Sequence, residues 1–172
     1  FENYFTNVKG ATLQAHLCEA VLKTGFQYGP IALENPEDYE ARANLMWASS
    51  MALNTVLDAG TVHGCACHAM EHELSAYYDI THGHGLAIVT PRWLTYILNE
   101  TTAPAIYRLG AKVFGICETL EAMDGAKKAI EAVADFCFNT LGLKANLSDL
   151  GIDEKHFKDM ADHACCGGII SG

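Results

Sequence analysis

The stretch Cys67-His68-Ala69-Met70-Glu71-His72-Glu73-Leu74-Ser75-Ala76-Tyr77-Tyr78-Asp79-Ile80-Thr81-His82-Gly83-His84-Gly85 holds four of the chain's eight histidines. Grouped imidazoles serve mainly to bind metal ions or to move protons. On a helix, His68 and His72 stand at i and i+4, with Cβ atoms about 5–6 Å apart on one face. Two rings so placed can converge on one ion, or one can bind metal while the other handles protons.

Three chemistries fit these residues. His68-Ala69-Met70-Glu71-His72 matches H-x-x-E-H, in which two histidines bind Zn²⁺ and the Glu acts as general base on a bound water. That zinc hydrolase needs a distant third ligand, for which Glu118, Glu121 and Glu131 are on offer, and it explains neither His82 nor the glycines around it. A structural zinc site at His63-Gly64-Cys65-Ala66-Cys67-His68 is a poorer fit, because its cysteines are separated by a single residue and no second pair follows at useful spacing. Cys65 and Cys67 read instead as small, buried helix-packing residues, as does the Cys165-Cys166 pair. The third chemistry is a redox metal site built on His68 and His82, fourteen positions apart, one on a helix and the other returning over it from a bend.

The elements that must position these residues are helical throughout. Leu13, Leu17, Val21 and Leu22 make an apolar stripe from Thr12 to Tyr28, ended by Gly29-Pro30. Asn35-Pro36-Glu37-Asp38 looks like a helix start, with Asn as cap and two acids at the positive end of the helix dipole. That helix is expected to reach about Ala59 and, from Leu45, Met46, Met51, Ala52 and Leu53, to be central. The histidine cluster and the run from Leu86 to Leu98 read as two helices joined by a bend over Asp79 to Gly85. Gly83 and Gly85 make the bend feasible through positive φ. Further helices are expected from Pro104 to about Gly115, Leu120 to Leu141, and Asp153 to about Ala164. No alternating strand pattern competes, so the class is all-α, a helical bundle over 1–172 as one domain.

Composition narrows the partners. The 172 residues are half hydrophobic and 19% charged, which suits a globular core. A formal net charge of −10, without a basic run, argues against nucleic acid. The seven cysteines lack the spacing of a disulfide framework, and neither a signal peptide nor an eighteen-residue apolar span is visible, so a reduced, cytoplasmic chain away from the membrane is expected.

The extended string H-x-x-x-H-x-L-x-A-x-Y-x-x-x-H-G, from His68 through His72, Leu74, Ala76 and Tyr78 to His82-Gly83, resembles the signature of the iron-containing (group III) alcohol dehydrogenases, especially their butanol-dehydrogenase branch. Glu37 to Ser50, Leu86 to Pro91, Leu141 to Leu143 and Leu147 to Ile152 are similar to the same family. The resemblance implies the C-terminal helical domain of the dehydroquinate synthase-like fold, whose N-terminal nucleotide-binding domain is expected outside this chain. It implies His68 and His82 as ligands of Fe²⁺ (or Zn²⁺), and His72 as a catalytic residue near the nicotinamide that helps proton transfer. NAD(P), a small alcohol or aldehyde, the chain's own N-terminal domain and a second copy in a homodimer are the implied partners. The family's remaining Asp and His ligands, in a D-x-x-x-H pattern, precede the segment that Phe1-Glu2-Asn3-Tyr4-Phe5 resembles, so weak or absent metal binding is expected of this chain alone. A non-catalytic helical interaction domain is the alternative from another class. His84 is read as a surface or supporting residue, and His16, His63, His156 and His163 as structural.

Overall fold

The computed structural model describes residues 1–6, 8–62 and 64–165. Among these, all regular structure is helical: α1 (Thr12–Glu34), α2 (Tyr39–Leu53), α3 (Ala66–Tyr78), α4 (His82–Ile97), α5 (Ala103–Phe114), α6 (Ala122–Asp135) and α7 (Phe157–Ala164), with 3-10 turns at Glu2–Tyr4, Leu147–Leu150 and Glu154–His156. The all-α class therefore holds. No helix of the described residues is long and apolar enough to cross a membrane.

The helices pack in a chain of neighbours: α2 on α1, α1 on α5, α5 on α6, α6 on α4, α4 on α3, and α3 on α7. The centre is α5 and α6, which carry the clearest apolar stripes. Ile106, Leu109, Gly110 and Val113 of α5 are buried, as are Ala126, Ala129, Ile130 and Val133 of α6, each set following the i, i+3, i+4, i+7 rule. Small residues bring these two backbones together: a Cβ on Gly110 would stand 2.5 Å from that of Ala129. One core joins this pair to Cys67, Trp93 and Leu94 of α3 and α4, and a second gathers Tyr4, Cys18, Leu57, Leu109 and Val113. Trp93 belongs to the first core, and Phe114 packs against both.

Three sequence expectations are corrected. Helix α1 does not stop before Gly29-Pro30 but runs through both to Glu34. The turn is held from outside, since the Phe136 ring meets Phe26 edge-on, with centroids 4.2 Å apart, and lies close over the bare Cα of Gly29. Packing thus outweighs the unfavourable proline, as it routinely outweighs propensity. Helix α2 is shorter than expected and peripheral. Asp38 rather than Asn35 is its cap, accepting from the Ala41 N–H at 2.8 Å, and Thr55 at φ +67° follows its end. Its apolar residues point to both faces, so only one face meets α1, and Trp47 is left 72% exposed. Finally, the bend before α4 spans only Asp79 to Thr81, with Asp79 taking the left-handed conformation at φ +51°. Gly83 and Gly85 are ordinary helical residues of α4, so positive φ is not their purpose.

Candidate metal centre

Helix α3 presents His68 in its first turn and His72 one turn on, and the short Asp79–Thr81 turn swings the start of α4 back over α3, so that His82 is its first residue. The three sequence-identified rings come together: His68 and His82 have centroids 5.5 Å apart, His72 and His82 5.5 Å, and His68 and His72 6.2 Å. His72 and His82 are exposed, so the cluster opens outward.

Two buried carboxylates lie beneath the rings. Glu71 accepts a hydrogen bond from Nδ1 of His82 through Oε2, and Ser75 Oγ donates to its Oε1 at 2.5 Å. Glu2 accepts from Nδ1 of His68 through Oε2 and from the Cys67 N–H through Oε1 at 2.7 Å. A neutral imidazole has one N–H, so donation from Nδ1 leaves the lone pair of Nε2 on His68 and on His82 for a ligand. The ring of His72 makes no hydrogen bond to another described residue.

Glu2 was not identified from the sequence, because nothing local marks a contact across 66 positions. It is held in place by its surroundings. Tyr4, at the end of the same 3-10 turn, donates to buried Glu19 at 2.9 Å, and Arg108 Nε donates to the same oxygen at 2.9 Å. Asn3 donates to Asp58 at 2.5 Å, and the rings of Phe1 and Phe5 lie edge-on to Phe26 and Trp93.

The donor set suits a divalent cation. Nitrogen ligands steadied by carboxylates are the usual surroundings of a first-row metal, and an open face admits the further ligands that a catalytic ion needs. One purely geometric grouping within 4.8 Å consists of Glu71, His72 and His82, and omits His68. Glu71 is a poor ligand in that group, being fully enclosed with both oxygens engaged, and the same burial keeps it from acting as the general base of an H-x-x-E-H hydrolase.

The remaining candidates lie elsewhere. Cys67 is buried among Trp93 and Leu94, and burial pushes its thiol up to about 12, so it is a packing residue. Cys65, expected to be buried, is exposed at the start of α3, where the chain has not yet entered the core. His84 hydrogen-bonds the Lys144 carbonyl at 2.9 Å, a supporting contact. His156, at the end of the Glu154–His156 turn, packs on Tyr77 of α3 with centroids 5.0 Å apart, and His163 of α7 contacts Glu73 of α3 at 3.2 Å. His63 and Cys166 lie outside the described residues. The apolar groove of about 630 Å³ lined by Ala66, Met70, Val89, Trp93 and Ile97 does not include the histidines.

Similarity to known proteins runs the length of the chain. NADH-dependent butanol dehydrogenases B and A of Clostridium acetobutylicum are 52% and 48% identical to it, each match covering 99% of this chain and 44% of the relative. The chain thus spans less than half the length of these relatives. The crystal structure of NADH-dependent butanol dehydrogenase A from Thermotoga maritima superimposes with a TM-score of 0.82 at 36% identity, covering 95% of this chain and 40% of that one. The Escherichia coli aldehyde reductase YqhD gives 0.83 at 33% identity, over 92% of this chain and 41% of that one. Residues 1–169 match the description "Fe-containing alcohol dehydrogenase family, C-terminal", and the chain belongs to that family as its C-terminal domain.

Proposed function

We propose that this chain is the metal-binding helical domain of a cytoplasmic, NAD(P)-dependent alcohol dehydrogenase that interconverts small primary alcohols, such as butanol, with their aldehydes. The observation that carries this reading is the pattern of clamping. Of the three clustered rings, the two that the family resemblance identifies as ligands, His68 and His82, each donate Nδ1–H to a buried carboxylate, whereas His72 does not. Ligands gain from a fixed tautomer and orientation; a proton carrier gains from being free to turn.

In this reading His68 and His82 would hold a divalent ion, Fe²⁺ or Zn²⁺, through Nε2, and the family's Asp and His of the D-x-x-x-H pattern, which precede this segment in the longer enzyme, would complete its ligands. The ion, when bound, supplies Lewis-acid polarisation of the substrate oxygen while hydride passes between the substrate carbon and the nicotinamide ring. The chain's own contribution is positional. Glu2 and Glu71 keep two ligand rings aimed, the helices keep them at fixed separation, and His72, 5.5 Å from His82 between centroids, carries the hydroxyl proton outward. NADH is the expected cofactor, because the relatives at 52% and 48% identity carry NADH-dependent names.

The test is reduction of butanal by NADH with the polypeptide joined to its nucleotide-binding domain, with and without Fe²⁺. Wild type is expected to require the metal, H68A and H82A to lose activity, and H72A to retain metal while turning over more slowly. Activity of H68A equal to wild type overturns the proposal. The 172-residue chain alone is expected to show no dehydrogenase activity.

A further inference from the structure

We infer that Glu71 is the positioning residue of the metal centre: its carboxylate fixes His82 as the Nδ1–H tautomer and thereby commits Nε2 to the ion. The inference rests on the reading of His68 and His82 as ligands and assigns Glu71 a role that neither H-x-x-E-H chemistry nor direct ligation gives it.

The site around Glu71 is built for a carboxylate. Its side chain is 0% exposed, and a buried charge is tolerated only when its oxygens are satisfied. Ser75 Oγ lies 2.5 Å from Oε1 and 3.0 Å from the Ile80 carbonyl, and its single proton serves the shorter contact. Oε2 is left to His82 Nδ1. The space itself comes from Gly85, where an added Cβ would stand 2.6 Å from Glu71 Cγ and 2.9 Å from Oε1. Gly85 is therefore glycine because Glu71 lies against its Cα, one turn after His82. The same turn of α4 carries the ring and makes room for the group that aims it.

The chemistry follows from the imidazole's proton count. With Nδ1 donating to an anionic acceptor, the ring's one remaining lone pair is on Nε2, and the neighbouring negative charge makes that nitrogen a stronger donor to a cation. Without the acceptor, the proton is free to sit on Nε2, which must be vacated before any metal binds. Loss of such a supporting partner typically lowers metal affinity about 10- to 100-fold.

The test uses the polypeptide joined to its nucleotide-binding domain, with ¹⁵N-labelled histidine, reading ring tautomers by long-range ¹H–¹⁵N correlation and following the His68 and His82 signals as ZnCl₂ is added. Wild-type His82 is expected to be protonated at Nδ1. E71Q keeps an acceptor oxygen and is expected to preserve that tautomer; E71M keeps the volume without the acceptor and is expected to lose it, with Zn²⁺ affinity about 10- to 100-fold weaker. A purely structural role would move melting temperature alike in both variants and leave the tautomer alone. E71Q and E71M with the same His82 tautomer overturn the proposal. So does a wild-type His82 protonated at Nε2, a result that needs no variant to fold. Zn²⁺ that moves neither His68 nor His82 in wild type instead overturns the ligand reading beneath it.

Discussion

Glu2 and His68, 66 positions apart, are joined twice: the Glu2 carboxylate takes the Nδ1–H of the His68 ring and also lies 3.3 Å from the His68 backbone N–H. With the Cys67 N–H at 2.7 Å, it satisfies two of the orphan donors in the first turn of α3, where a negative charge is favoured. One carboxylate thus caps the helix and aims its first ligand. E2A is expected to cost about 2 kcal/mol, or roughly 4–8 °C in Tm, and E2Q about half of that. Thermal melts check the stability, and the His68 ring tautomer checks the aim. An unchanged Tm in E2A would remove the cap from the account.

Gly83 and Gly85 stand two residues apart in α4 and should answer oppositely to the same substitution. A Cβ on Gly83 meets nothing within 4 Å, whereas one on Gly85 meets Glu71 at 2.6 Å. Ala is the better helix former by about 1 kcal/mol, so G83A is expected to raise stability by about 0.5–1 kcal/mol. G85A is expected to lower it by about 1–3 kcal/mol through overpacking and to disturb the His82 ring. Chemical denaturation of the pair decides this, and a stabilised G85A would contradict the close approach.

These residues also show how far the sequence could be read. His68, His72 and His82 were legible because a helix and one turn fix their spacing, and the all-α class because apolar periodicity is local. Glu2 was not legible, since its partner is distant in sequence, and Glu71 was visible only as a motif letter whose burial no spacing reveals. The glycines were noticed for the wrong reason: sequence suggests backbone freedom, while Gly85 answers to a side chain on another helix. The central placement expected for α2 failed because counting apolar residues does not say which face they occupy.

The thiols should separate by pH. Burial, with the Glu2 charge beside it, pushes Cys67 up to about 12, while the hydrogen bonds from Thr119 hold exposed Cys117 below its ordinary value. Cys117 is expected to alkylate first near neutral pH, and Cys67 only when the chain unfolds. For stability the sign is that of a raised acid. The Cys67 contribution is complete below the unfolded thiol value of 9.0 and is lost as pH climbs towards 12. Iodoacetamide labelling followed by peptide mapping tests the order. Cys67 modified as quickly as Cys117 in folded protein would contradict the burial.

The Glu2 clamp depends in turn on Tyr4, which closes the same 3-10 turn and donates to Glu19 on α1, where Arg108 of α5 donates to the same oxygen. Y4F removes one hydrogen bond to a buried carboxylate and is expected to cost about 1.5–3 kcal/mol. Because Tyr4 and Arg108 share an acceptor, Y4F and R108A should be non-additive by at least about 0.5 kcal/mol in a double-mutant cycle. The further expectation concerns the site: with its turn loosened, Glu2 holds the His68 ring less well, so the His68 ¹⁵N signals shift in Y4F although Tyr4 does not touch that ring. Signals that stay fixed while stability falls would show that Tyr4 anchors the core alone and that Glu2 is held by its own contacts to the first turn of α3.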